Sequence, residues 1–257
     1  MGYSREFVAA LEFVWGEGFL SPGGPEEVAA IVADHGVRDA RVLDIGCGLG
    51  GIDLLLVQAH GAREVVGIDV NPDVITLARE LAERKGLSHA VTFAACQPGP
   101  LPFADHSFDV VFSKDAMVHV PDKKLFYAEI MRVLKPGGRL MAADWFWMPG
   151  AESNPLVKAW VGDNHLGFVF TTVAQARAAL EDAGFRQIEL RDRNREIAAV
   201  NRAEVAKLEG PVMKELAQRV GEDTAKDRLR SAKGRQAVLD AAALLPTHVH
   251  GVKPNGA

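Results

Sequence analysis

Apolar positions follow two alternating rhythms through the middle of the chain. Short runs such as Val42-Leu43 with Ile45, and Val65-Val66-Gly67-Ile68, have the length and β-branched content of buried strands. Further strands are predicted near residues 91–95, 109–113 and 139–144, then at Arg186–Arg191 and Thr247–Lys253. Between them the period becomes helical. Asn71 can cap a helix whose first position is Pro72 and whose apolar stripe is Val74, Leu77, Ala78 and Leu81. Lys135-Pro136-Gly137-Gly138 should close another helix and turn the chain into the strand Arg139–Asp144. Such alternation predicts an α/β fold, a parallel sheet with helices on both faces.

The flanks differ from this middle. Phe7, Ala10, Leu11, Val14 and Trp15 share one face of a helix over 5–15, and Ser21-Pro22-Gly23-Gly24-Pro25 interrupts the chain before a second helix at about 26–35. After Asp144, residues 155–183 read as helices, and 196–245 as a polar helical stretch broken at Gly210-Pro211 and Gly221, a candidate lid.

Composition narrows the partners. The 257 residues are 48% hydrophobic, enough for one generous core. A net charge of −5 without a long Lys/Arg run gives no electrostatic footprint for nucleic acid or an anionic membrane, so a small-molecule partner is expected. No apolar run of about 20 residues is present to span a bilayer. Cys47 and Cys96 are the only cysteines, too few for a disulfide framework and suited to a reducing cytoplasm.

The chemistry starts at residues 42–51, VLDIGCGLGG. Gly46, Gly48 and Gly50 permit a sharp turn and let a ligand lie against bare peptide, which marks a nucleotide cofactor. Two cofactors compete, because Gly46, Gly48 and Gly51 also satisfy the loose dinucleotide pattern. Asp44 at the mouth of the turn would repel a pyrophosphate and attract the cationic S-adenosylmethionine. Asp69, ending the next apolar run, is placed for ribose hydroxyls in either case. A turn former at Asp44 and a helix cap at Asp69 is the plainer alternative.

Asp115 sits at the mouth of the fourth strand, with His119 four residues on. If 115–119 is a helical turn, both face one side, where they could hold an ammonium and take its proton. Otherwise Asp115 is a cap and His119 an ordinary packed histidine. The rings of Trp145, Phe146 and Trp147 could stabilise a cation or simply pack a lid. His248 and His250 share one face of the last strand, but no third ligand is near in sequence, so no metal is expected. Cys47 suits a packed turn better than a nucleophile.

With VLDIGCGLGG, GIDV and LKPGG in hand, the chain resembles the class I S-adenosylmethionine-dependent methyltransferases over roughly residues 40–190. LEFVWGEGFLSPGG at 11–24 and FSKDAMVHVPDKKLF at 112–126 are similar to the phosphoethanolamine N-methyltransferases, the second also to the sarcosine and dimethylglycine N-methyltransferases. The resemblance implies a Rossmann-like, seven-stranded sheet with its last strand antiparallel, in a single domain over 1–257. Lid helices would occupy 1–35, the cofactor core 40–191, a helical insert 192–246 and the last strand 247–253. It implies methyl transfer to a small amine, leaving S-adenosylhomocysteine; the oligomeric state stays open.

By position, the resemblance puts Asp44, Gly46, Cys47 and Gly48 around the methionine part of the cofactor. Asp69 falls at its ribose, Gln97 at its adenine and Leu20 and Ser21 on its lid side, and Val70, Pro98, Ser113 and Lys114 complete the set. Tyr3, Asp115 and His119 would form the catalytic group, Tyr3 closing over His119, with Trp145 and Phe168 on the substrate. Gly162, Leu166 and Phe168 stand where the family clamps phosphate with Tyr and Arg, and Trp145 replaces a tyrosine. Phosphoethanolamine is therefore expected to be a poor acceptor. Methyl transfer to oxygen or sulfur of a natural product, a non-catalytic cofactor-binding subunit and a dinucleotide oxidoreductase are the alternatives.

Overall fold

The computed structural model describes residues 4–164 and 167–256. Two helices come first, α1 (Arg5–Trp15), capped by the Ser4 side chain, and α2 (Gly24–Val32). The core follows as β1 (Arg41–Ile45), α3 (Gly51–Gln58), β2 (Glu64–Asp69), α4 (Pro72–Arg84), β3 (Val91–Ala95), β4 (Phe108–Lys114), α5 (Lys123–Val133) and β5 (Leu134–Trp147). Beyond it lie α6 (Pro155–Asn164), α7 (Val173–Asp182), β6 (Arg186–Asp192), α8 (Asn194–Leu208), α9 (Val212–Val220), α10 (Glu222–Asp240) and β7 (Leu244–Val252).

The strands form one seven-stranded sheet in the order β3-β2-β1-β4-β5-β7-β6, with β7 antiparallel to both neighbours. The strand order reverses between β1 and β4. Loops leaving the carboxyl ends of those strands diverge there and open a crevice, the usual ligand position in such sheets.

Side-chain alternation along the strands builds two layers. Val42, Val65 and Val110 point towards α2, α3 and α4 with Ile31, Leu56 and Ile75. Leu43, Val66 and Val111 point the other way, towards α5 and α7 with Tyr127, Ile130 and Leu180. A third cluster, Trp145, Val157, Trp160, Phe170, Val238 and Leu244, seats α6 and α10 on the end of the sheet. A fourth packs α1 on α8, α9 and α10 through Ala10, Leu208, Leu216, Val220 and Ala232.

Three expectations are corrected. The Lys135–Gly138 stretch is not a free turn before β5 but part of it: Gly137 N donates to Lys253 O, and Lys253 N to Gly138 O, so the end of the chain pairs with it. β7 starts at Leu244 rather than Thr247, because Trp147 and Phe146 at the end of β5 find partners in Leu244 and Leu245. In α4, Leu77 is exposed, and Ile75 and Ala82 share the buried face with Val74, Ala78 and Leu81. Among the described residues no helix is long and apolar enough to cross a membrane.

Candidate active site

The glycine turn after β1 is tied to β2. Gly46 N and Cys47 N both donate to Ile68 O, and Gly48 N donates to Asp69 Oδ2 at 3.1 Å. Asp69 Oδ1 accepts from Asn71 N at 2.9 Å, so each carboxylate oxygen holds one amide and keeps a lone pair for another donor. Gly46 has a φ of +84°, and a Cβ there would lie 2.3 Å from that of Ala116, so the β4 loop closes directly on the turn. Val70, Gln97 and Pro98 are exposed beyond the ends of β2 and β3, as a wall beside Asp69 requires.

The start of α3 is covered. Gly18 O accepts from Gly51 N at 3.1 Å, and a Cβ on Gly51 would meet that oxygen at 2.6 Å. A pyrophosphate needs those first helical amides open, so this crossing disfavours a dinucleotide on geometry. Leu20 lies over Gly48, within 3.0 Å of where a side chain there would start.

Asp44 departs from expectation. It is 1% exposed, and neither oxygen meets a donor; Asp53 in the first turn of α3 is equally enclosed and also lacks one. Burial pushes Asp44 up to about 7, and the Asp69 charge adds to the rise. Burial and then the Asp44 charge lift Asp53 well above the carboxylate range. With both acids buried and each raised above the carboxylate range, the pair titrates as a unit that favours the protonated form. Asp44 thus shapes the turn from beneath instead of presenting a bare carboxylate, and Asp53 escaped notice because an acid in a first helical turn reads as a dipole partner. Cys47 is buried, and burial followed by the nearby acids drives its thiol well up, as a packed turn residue requires.

The end of β4 carries the second half of the site. Ser113 does not face a ligand: its hydroxyl is buried and donates to Ile45 O at 2.8 Å, stitching β4 to β1. Lys114 Nζ reaches back to Ser21 Oγ (2.8 Å), Pro22 O (2.8 Å) and Asp115 Oδ2 (2.6 Å), so lysine and serine hold the N-terminal segment to the site. Trp145 Nε1 donates to Asp115 Oδ1 at 2.9 Å, so this tryptophan orients the carboxylate as well as lining the site. Asp115 adopts a φ of +56°, and only residues 117–119 form a short 3-10 turn, so 115–119 is not the regular turn expected.

Behind that turn lies Asp144, 2% exposed. Its Oδ1 accepts from Trp145 N at 2.8 Å, and burial first, then Asp115, raises it to about 8. Lys123 Nζ donates to Met117 O and Val120 O, and burial lowers its basicity. This acid and this base fix the loop bearing His119.

Asp115 and His119 line one cavity of about 360 Å³. The exposed His119 ring stacks on Phe168 (5.2 Å between centroids), Phe168 on Trp160 (5.4 Å), and Trp145 lies against Trp160 (5.9 Å). Leu20 and Ser21 form the rim towards the glycine turn. Gly162 on α6 is exposed; Tyr3 and Leu166 lie outside the described residues. Helices α1 and α10 complete the lining with Trp15, Arg228, Arg230 and Arg235. These arginines were not among the expected site residues, because a polar helix reads as a solvated face. His248 and His250 point away from this cavity: His248 Nε2 lies 2.6 Å from Glu27 Oε1, and His250 packs on His35.

A family model described as "Methyltransferase domain" matches residues 37–191. Phosphoethanolamine N-methyltransferase 1 of Arabidopsis thaliana is 31% identical over 211 residues, covering 80% of this chain and 41% of that protein. Sterol 24-C-methyltransferase erg6 of Aspergillus fumigatus is 33% identical over 198 residues, covering 70% of this chain and 52% of the other. The structure of Haemonchus contortus phosphoethanolamine N-methyltransferase 2, in complex with phosphomonomethylethanolamine and S-adenosylhomocysteine, superposes with a TM-score of 0.89 at 25% identity, over 98% of this chain and 58% of that one. The chain therefore spans about half the length of the relatives it matches.

Proposed function

Because this chain belongs to the methyltransferase domain family, we propose that it moves the methyl group of S-adenosylmethionine to the nitrogen of a small amine. The observation that carries this is Asp115, held by Lys114 and Trp145 on the wall of an aromatic cavity that opens beside the glycine turn. The bound states and substrates named for the relatives support the cofactor and the acceptor class.

The residues fit that cofactor. Asp69 keeps lone pairs for a ribose diol, Val70 and Gln97 offer an exposed wall for adenine, and Leu20 and Ser21 face the methionine side. When bound, it supplies an electrophilic methyl carbon on a sulfonium.

The protein's own work is alignment, exclusion of water and proton handling. Asp115 has lone pairs beyond those used by Lys114 and Trp145, and these receive the N–H groups of the acceptor ammonium. His119 takes the proton that leaves when the nitrogen lone pair forms, and its stacking on Phe168 fixes the ring plane. Trp145 and Trp160 offer ring faces to the charge that returns once the nitrogen is methylated.

Calorimetry should show S-adenosylmethionine and S-adenosylhomocysteine binding, both weakened in Asp69→Ala, with no heat from NAD. Incubation with labelled cofactor and a panel of amines, read by mass, should identify a methylated amine. His119→Ala should lower kcat about a hundredfold at unchanged cofactor affinity. Tight NAD binding, or transfer only to hydroxyl or thiol acceptors, would overturn the proposal.

A further inference from the structure

Residues 16–24 run from the end of α1 across the glycine turn. Gly18 O accepts from Gly51 N, and Leu20 lies over Gly48, so this segment covers the turn assigned above to the cofactor. Glycines near its two ends, Gly16 (φ +103°) and Gly23 (φ +102°), give the backbone freedom to swing there.

Side chains tie the segment down at the surface and in the interior. At the surface Glu17 pairs with Arg84 (3.2 Å) and Lys85 (2.7 Å), but all of these side chains are about half exposed, and such pairs are worth little. In the interior Lys114 Nζ donates to Ser21 Oγ and Pro22 O, both at 2.8 Å. Its remaining proton goes to Asp115 Oδ2, and the lysine side chain is 3% exposed. An ammonium has three donors, and here all three are used. If the segment lifts, two of them lose their acceptors in a buried setting. The ammonium then follows the segment or draws in water, and either shifts it against Asp115.

Asp115 is sensitive to such a shift. Its backbone holds a φ of +56°, which a side chain disfavours, and its carboxylate is pinned between Lys114 Nζ and Trp145 Nε1. Losing one bond leaves it free to turn about the other. We propose that Lys114 is a positioning residue that makes the orientation of Asp115 depend on closure of residues 16–24, so that the cofactor, bound first, sets the site for the acceptor. This deepens the methyl-transfer reading, and its acceptor half rests on that reading. The coupling is reciprocal: an acceptor held by Asp115 tightens the cofactor in turn.

The test follows hydrogen exchange of the Trp145 indole N–H by NMR on the full chain, its signal assigned by its loss in Trp145→Phe. That proton lies in the bond to Asp115, so its exchange reports how often the bond opens. Saturating S-adenosylhomocysteine should slow the exchange about tenfold or more in the wild type. In Lys114→Met, which keeps an unbranched stem but donates nothing, S-adenosylhomocysteine should still bind by calorimetry while the slowing vanishes; in Lys114→Arg part of it should return. Should Lys114→Met not fold, Ser21→Ala leaves the lysine and the carboxylate in place, removes one tie, and should still reduce the slowing. Exchange that the ligand leaves unchanged in the wild type, or slows equally in the variants, overturns the proposal and leaves Lys114 as a plain counterion of Asp115. A slowing that depends on Lys114 in a protein that methylates no amine upholds the positioning role and fails the amine reading instead.

Discussion

At Asp44 and Asp53 two carboxyl groups lie side by side without a donor, and that pairing has a direction in pH. An unfolded chain ionises Asp44 near 3.8, the folded one at about 7. Between those values the unfolded state binds fewer protons, so stability falls as pH rises through the window. Asp144, raised to about 8, acts in the same sense. Asp44→Asn removes the titration, so the Tm of the variant relative to the wild type should climb from pH 5 to pH 8. A difference in Tm that stays flat across that range would show that the fold does not hold Asp44 protonated. The sequence placed Asp44 at the turn but could not show its depth, since a strand-end acid looks alike whether it faces water or a second acid. Asp69 was legible as the acid at the end of β2, and the structure places it against Gly48 and Asn71 of the turns.

Elements are held together by charges that periodicity does not reveal. Glu27 of α2 binds His248 of β7 at 2.6 Å and Arg193 at 3.0 Å, stapling the second helix to the sheet. Burial alone would raise this carboxylate, but the bonds from His248 and Arg193 prevail and hold it at about 2. Its stabilisation is complete above the unfolded value of 4.5 and is lost as pH falls towards 2. Glu27→Gln should cost about 3 kcal/mol at pH 7 by denaturant unfolding, the deficit shrinking in acid. His250, lowered to about 4 by burial and then by His35, adds to acid sensitivity, because below 6.5 the unfolded state takes up a proton that the folded state refuses. The helix breaks at Gly210-Pro211 and Gly221 were legible as glycine and proline punctuation. The early start of β7 was not, since it depends on which partner β5 offers. Thr172 caps α7 with Gln175 in a reciprocal box, and Thr172→Ala should lower stability by about 1 kcal/mol.

Across the whole molecule, the sheet and its crevice were legible because alternating strands and helices admit few arrangements. The cavity was not, because its walls come from α1, the β4 loop, the end of β5 with α6, and α10. Reading position by position at Gly162 and Phe168 could not reveal that α10 brings Arg228, Arg230 and Arg235 to the cavity from a distant part of the chain, with Asp163 and Asp227 beside them. If the cofactor bridges the glycine turn and the N-terminal helices, S-adenosylhomocysteine at 100 times its Kd should stabilise the fold by about 2.7 kcal/mol. Thermal unfolding that is unmoved by the ligand would count against this.

The Lys114 contact has a kinetic side. A carboxylate that carries its own built-in counterion attracts a second cation only weakly, since part of its field is already spent on the lysine. Successive methylation strips N–H donors from nitrogen until a permanent positive charge remains, and a lone acid in an aromatic box would trap such a product. On the amine reading proposed above, Asp115 with Lys114 in place would guide an incoming ammonium by its hydrogens yet have little hold on one that has lost them. On that reading a fully methylated amine leaves with no hydrogen bond to Asp115 to break.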